Sequence, residues 1–136
     1  MQKTLINPET LAKPTGYAHG VLTHGGRLLF LAGQTGMDTT GKIPSPHDMV
    51  AQFTQTLANL KAVVDSSGGS MTDIVKLTIF VTDKVAYRAQ RERIGQAYRL
   101  FFGYYFPAMT LVEVKSLYDN NAMVEIDGLA VIPTES

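Results

Sequence analysis

The sequence predicts an α+β (α/β) fold in which a single sheet carries two helices on one of its faces. Helix-type and strand-type periodicities alternate along the chain, and residues 28–34 form a continuous apolar run typical of a buried strand. The chain has 136 residues, of which 45% are hydrophobic. A chain of that size fits one domain, residues 1–136, without room for a second core.

The first third of the chain predicts short strands. A weak strand signal covers residues 4–6. Residues 17–22 then lead through a Gly-Gly turn at residues 24–26 into the apolar run at 28–34. Such a turn between two apolar segments predicts that they pair as a hairpin.

The middle of the chain predicts a helix, a strand and a second helix. Ser45 is the predicted N-cap of the first helix, which ends at Gly68-Gly69. Its apolar stripe consists of Met49, Phe53, Leu57, Leu60 and Val64. Residues 74–81 alternate as a strand, with Val75, Leu77, Ile79 and Val81 on one face. The second helix is predicted over residues 85–102, with the stripe Tyr87, Arg91, Ile94, Tyr98 and Phe101.

Two strands, over residues 108–114 and 123–132, close the chain. A polar turn at residues 119–121 is predicted to join them as a hairpin. Both helices lie on one face of the predicted sheet. The other face is therefore expected to be covered by further copies of the chain.

Charge and residue usage argue against several classes of protein. Twelve basic and twelve acidic side chains cancel, whereas a nucleic-acid binder usually shows a basic excess. Without cysteine there is no thiolate nucleophile, and the three histidines lack metal-ligand spacing. No cofactor motif is present, and no apolar run approaches a membrane span. We expect a cytoplasmic protein with no metal, cofactor, nucleic acid or membrane partner.

Glu125 and Asp127 are candidate acid/base groups. In the strand over residues 123–132 they share one face with apolar residues, where desolvation raises a carboxyl pKa and suits proton transfer. A solvated sheet edge or an ion pair across a subunit interface explains the same pattern. The pattern alone leaves both interpretations open.

Arg91 and Tyr17 are further candidates. A guanidinium within an apolar helical stripe either extends to the rim of the core, pairs with a carboxylate or binds an anionic substrate. Tyr17 is either a pocket aromatic or a core residue. The sequence pattern does not decide between these interpretations for either residue.

These segments together resemble the reactive intermediate deaminase (Rid) family over nearly the whole chain. The resemblance rests on I-N-P-E at residues 6–9, G-Y-A-H-G-V at 16–21, L-F-L-A-G-Q at 29–34, D-I-V-K-L-T-I-F-V-T-D at 73–83, F-P-A-M-T-L-V-E-V at 106–114 and V-E-I-D-G-L-A-V at 124–131. The last two motifs are the most specific.

The resemblance implies a chorismate-mutase-like fold, a homotrimer with a barrel-like core and three clefts between subunits. Active members hydrolyse imines and enamines to ketones and ammonia. It implies that Glu125 is the glutamate that holds or activates water. It also implies that Tyr17 and Gly33 line the cleft.

Met109 departs from the family pattern, because it occupies the position of the arginine that binds the substrate carboxylate. A thioether cannot make that contact, and its loss costs about 2–5 kcal/mol in binding a carboxylate. The second helix is also about one turn longer than in better-known members, which sets Arg91 near the cleft and Gly95 where a polar residue is expected. We hypothesise that Arg91 supplies a relocated cation.

Three functions follow from this comparison. The first is a small-molecule imine or enamine deaminase whose substrate differs from an ordinary 2-imino acid and packs against Met109. The second is a non-catalytic, metabolite-binding or regulatory trimer. The third, ribonuclease activity or inhibition of translation, has little support from the balanced charge.

Overall fold

Six strands and three α-helices build the molecule, and the computed structural model describes residues 2–134. The strands are β1 (Gln2–Ile6), β2 (Gly20–His24), β3 (Arg27–Gln34), β4 (Ile74–Val81), β5 (Ala108–Glu113) and β6 (Val124–Ile132). The helices are α1 (Met49–Ser66), α2 (Lys84–Ala89) and α3 (Arg91–Phe102), and a short 3₁₀ turn (Met71–Asp73) precedes β4. The predicted α+β class is confirmed.

The main sheet has four strands in the order β3-β6-β4-β5. Strands β4 and β5 are parallel and are connected through α2 and α3, whereas β6 is antiparallel to both of its neighbours. The predicted closing hairpin of β5 and β6 is therefore wrong. Strands β6 and β4 are the two central strands, and the core-facing residues of β6 are apolar; Val124, Ile126 and Ala130 are fully buried.

The other two strands form a ladder of their own, so the prediction of a single sheet needs correction. Strand β2 pairs with β1, and no ladder joins β2 to β3 within residues 2–134. Gly25 and Gly26 both have positive φ, 78° and 92°, which lets the chain change direction there. The segment just before β2 lies at the β5 edge, where Ala18 forms an isolated parallel bridge with Ala108 and the Ala18 N–H donates to the Pro107 carbonyl at 3.0 Å.

Helix α1 lies across the core as its apolar stripe predicts. Phe53, Leu57 and Leu60 are completely or almost completely buried. The helix begins later than predicted, because Asp48 is its N-cap and accepts a hydrogen bond from the Ala51 N–H at 3.0 Å. Ser45 lies one turn earlier and does not cap the helix.

The predicted second helix is broken into α2 and α3 at Gln90. This residue has φ −104° and ψ 14°, outside the helical region. The apolar pattern continues across the break, which is why periodicity does not reveal it. Ile94 and Tyr98 are buried as predicted, but Arg91 is exposed and lies outside the core.

The main sheet has one covered face and one open face. Leu77, Ile79 and Ile126 point to the core beneath α1 and α3. The opposite face, here called the open face, carries Phe30 and Leu28, which are 76% and 62% exposed. Large apolar side chains so exposed are expected to be covered by another molecule.

Candidate functional site

Glu125 lies on the open face, over the backbone of Gly33 on the neighbouring strand. A Cβ atom at Gly33 would overlap the carboxylate and would lie 2.9 Å from its Cδ and 3.1 Å from its Cγ. The pairing register shifts between Leu31 and Gln34, and this irregularity sets Gly33 beside Glu125. We call Glu125 and Gly33 the Glu125 site.

The Glu125 carboxylate has no protein partner within residues 2–134. The ion pair found there joins Lys61 to Asp65 at 2.5 Å. Asp127 shares the open face, since it pairs with Thr78 while Glu125 pairs with Phe80. Only Glu125 of the two carboxylates lies over Gly33. A half-buried carboxylate without a partner can accept a hydrogen bond from water or take its proton.

Met109 and Arg91 lie together in a pocket on the covered side of the sheet. The pocket has a volume of about 360 Å³ and lies between β5 and the helices. We call it the α3 pocket; it is lined by Thr15, Gly16, Phe53, Ile79, Tyr87, Arg91, Ile94, Gly95, Tyr98, Arg99, Phe106 and Met109. Its lining includes two guanidinium groups and no carboxylate.

The half-buried phenol of Tyr87 and the buried phenol of Tyr98 keep their protons at neutral pH in this pocket. Burial raises the pKa of Tyr87 to about 12. Burial, with a smaller effect of Tyr105, also raises the pKa of Tyr98, whose hydroxyl donates to the Tyr105 carbonyl at 2.6 Å. The Tyr87 ring packs edge to face on Phe53, with centroids 6.1 Å apart. Both phenols therefore act as neutral groups.

Tyr17 lies at the β5 edge, next to the two pocket-lining residues Thr15 and Gly16. Gly16 has φ 76°, a conformation that favours glycine. The half-buried Tyr17 ring packs edge to face against the His19 ring, with centroids 5.2 Å apart. The backbone N–H of His19 donates to the Asn7 side-chain oxygen at 2.8 Å. These contacts hold the loop that closes one side of the α3 pocket.

The candidate residues thus form two groups within one protomer. Met109 pairs with Leu77 and faces the covered side of the sheet, whereas Glu125 pairs with Phe80 and faces the open side. The chain therefore does not bring Glu125 and Met109 together by itself. Sequence reasoning missed Arg99, although Arg91, Gly95 and Arg99 recur at a spacing of four on one helix face.

In the part of the chain that the structure describes, no cluster of three His, Asp or Glu side chains is placed to hold a metal ion. None of the helices there is long and apolar enough to cross a bilayer.

Comparison with known proteins identifies the family. Residues 8–132 match the model of the family described as Endoribonuclease L-PSP. The chain is 33% identical to a 2-iminobutanoate/2-iminopropanoate deaminase of Escherichia coli strain K12, over 96% of this chain and 98% of the relative. It is equally similar to Protein DfrA of Myxococcus xanthus, 33% identical over 96% and 97% of the two chains.

Solved structures agree with these relatives. The Rid family protein YyfB of Yersinia pestis has a TM-score of 0.82 at 31% identity, over 97% of this chain and 100% of that one. A putative endoribonuclease of Thermotoga maritima has a TM-score of 0.68 at 28% identity, over 98% and 100%. With its sheet, its helices and the Glu125 strand all within the matched residues, this chain belongs to the Endoribonuclease L-PSP (Rid) family.

Proposed function

We propose that the protein hydrolyses imines or enamines to ketones and ammonia, in clefts between the three subunits of a homotrimer. The observation that carries the proposal is the unpaired Glu125 carboxylate over Gly33. The activity for which the Escherichia coli relative is named, deamination of 2-iminobutanoate and 2-iminopropanoate, supports the reaction type. The substrate class is a small molecule other than an ordinary 2-imino acid, since Met109 replaces a guanidinium.

The order of the strands supports an intersubunit site. Strands β3 and β5 are the two edges of the main sheet. The Glu125 site lies beside the β3 edge, and the α3 pocket lies at the β5 edge. A ring of three copies, with each β3 edge beside the next β5 edge, brings the edge that carries the Glu125 site to the edge of its neighbour beside which the α3 pocket lies, and the proposed cleft is the seam between these two edges. The open face, with Phe30 exposed, then lines the inside of the ring.

The reaction needs one proton acceptor and a held substrate. Glu125 accepts a proton from water while the water oxygen bonds to the C=N carbon and the C=N electron pair moves to nitrogen. Glu125 returns this proton to the nitrogen, which gives a tetrahedral carbinolamine. Glu125 then takes the hydroxyl proton as the C=O bond forms, and passes it to the nitrogen as the C–N bond breaks and ammonia leaves. An enamine first takes a proton on carbon and becomes the imine. Positioning alone contributes much of the rate, because imines hydrolyse readily in water.

A metabolite-binding trimer without catalysis is the second candidate. It is favoured by the placement of the α3 pocket, which one protomer lines without Glu125. Ribonuclease activity is a weaker candidate, named for the family and for the Thermotoga maritima protein. The equal numbers of basic and acidic side chains give it little physical support.

Ammonia release from a panel of imines, generated in situ by an amino-acid oxidase, tests the proposal. We expect turnover by the unmodified trimer and its loss in Glu125→Gln. Asp127→Asn is the matched control, because it removes the other carboxylate on the same strand face and should leave turnover largely intact. Binding without turnover across the panel would favour the metabolite-binding trimer, and RNA cleavage that survives Glu125→Gln would favour a nuclease.

A further inference from the structure

The geometry of α3 points to a two-arginine anion site: we propose that Arg91 and Arg99 bind the anionic group of a substrate whose bulky apolar part fills the α3 pocket. This inference rests on the proposed function, since it names the class of imine that the deaminase takes. The class is an anionic imine whose aryl or branched alkyl side chain sets it apart from ordinary, small 2-imino acids such as those named for the Escherichia coli relative.

Gly95 lets Arg99 fold back across the helix. The Arg99 Nη1 atom lies 3.3 Å from the position that a Cβ at Gly95 would take. Arg91 lies one turn before Gly95, and Arg99 one turn after it. Both guanidinium groups therefore border the pocket on either side of a residue without a side chain.

The two arginines are available for a ligand. Neither forms an ion pair within residues 2–134, and the pocket lining contains no carboxylate. Both side chains are exposed and lie at the mouth of an apolar cavity, where their positive charge is not compensated by a carboxylate of the lining. A carboxylate that meets both receives charge-assisted hydrogen bonds, which are among the strongest in proteins.

The pocket is larger and more apolar than a three-carbon imine needs. Its volume of about 360 Å³ corresponds to roughly twelve water molecules at their share of the liquid volume. The ring of Phe106 and the side chains of Ile94 and Met109 line it. Removing an aryl or branched alkyl group from water against these residues adds affinity in proportion to the area covered. The unbranched thioether of Met109 adapts to such a group, whereas a guanidinium there would occupy the space.

The test is calorimetric binding of three stable ketones to the Glu125→Gln protein, which removes turnover from the measurement. We expect phenylpyruvate to bind at least tenfold more tightly than pyruvate, which lacks the ring, and than phenylacetone, which lacks the carboxylate. Equal affinities for phenylpyruvate and pyruvate would overturn the size argument. Equal affinities for phenylpyruvate and phenylacetone would overturn the anion site.

Arginine variants locate the anion. Arg91 also borders a groove at the α2–α3 junction, which Arg93 lines and Arg99 does not, whereas Arg99 lines the α3 pocket and Arg93 does not. Arg99→Met should weaken phenylpyruvate binding roughly tenfold to a hundredfold, the range for a hydrogen bond to a charged group. Arg93→Met is the matched control and should change nothing. The inference is overturned if Arg93→Met weakens binding as much as Arg99→Met does.

Gly95→Leu gives a second variant that keeps the helix intact. Leucine is a better helix former than glycine, so this protein should melt no lower than the parent. Its side chain displaces Arg99 and fills the pocket, and phenylpyruvate binding should be lost. Retained binding in a folded Gly95→Leu protein contradicts the inference. Loss of turnover in Glu125→Gln is measured separately, so a failure of the proposed function can be told apart from a failure of this inference.

Discussion

The carboxylate of Glu125 lies where a side chain at Gly33 would have to go. With the Glu125 Cδ only 2.9 Å from that position, the orientation of the glutamate depends on the glycine opposite. The relationship links two adjacent strands and fixes the carboxylate on the open face. The position of the carboxylate can therefore be tested by a substitution at Gly33, which leaves residue 125 unchanged.

Gly33→Ala should push the Glu125 carboxylate aside while the fold survives, because the obstructing atoms are the far end of a flexible side chain. We expect turnover to fall by up to about a hundredfold, the effect of a misplaced reacting group. Steady-state rates and thermal melts measure the two consequences. Combined with Glu125→Gln, the alanine should cause no further loss, and an additive effect would show that Gly33 acts elsewhere.

Met109→Arg should shift the preference toward small 2-imino acids. A guanidinium at this position can bind a carboxylate close to the C=N carbon, and such a contact contributes about 2–5 kcal/mol to the binding free energy. We expect kcat/KM for 2-iminopropanoate to rise at least tenfold and phenylpyruvate affinity to fall. Met109→Leu nearly conserves volume and should produce neither change. If Met109→Arg does not raise kcat/KM for 2-iminopropanoate, residue 109 does not lie in the cleft.

Asp48→Ala should destabilise the fold by about 1 kcal/mol, because Asp48 caps α1 through the Ala51 N–H. Ser45→Ala should change the free energy of unfolding by less than about 0.5 kcal/mol, as at an ordinary surface position. Denaturant titration of both variants gives the comparison. A larger loss of unfolding free energy in Ser45→Ala than in Asp48→Ala would indicate that Ser45 caps the helix instead.

Alkaline pH should destabilise the protein through its buried phenols. Burial raises the pKa of Tyr87 to about 12, so between pH 10 and about 12 the unfolded chain loses this proton while the folded chain retains it. Stability is therefore complete below pH 10 and declines as the pH rises. Thermal melts across this range should show a smaller decline for Tyr87→Phe. Tyr118→Phe removes a fully exposed phenol and should behave as the parent does.

Local patterns predicted much of the fold. The α1 stripe that includes Phe53 and Leu60 is buried, and the alternation in β6 sets Glu125 and Asp127 on one face. Strand pairing was not predictable, because β6 enters between β3 and β4 through contacts distant in sequence. The break at Gln90 was hidden by a continuous apolar period.

The candidate site was predicted only in pieces. Resemblance identified Glu125 and Gly33, which the structure brings together, and Met109 with Arg91, which line one pocket. The pattern gave no reason to choose Arg99, since an exposed arginine in a last helical turn usually serves the helix dipole. Its role depends on how its side chain folds over Gly95.

Mixed trimers test most directly whether each active site combines Glu125 of one subunit with the α3 pocket of the next. Glu125→Gln and Gly95→Leu proteins should each be inactive, and light scattering should show trimers in both. After unfolding together in equal amounts and refolding, about a quarter of the clefts should combine two intact halves and regain activity. A monomeric chain, or mixed trimers that stay as inactive as their parents, would contradict the shared site.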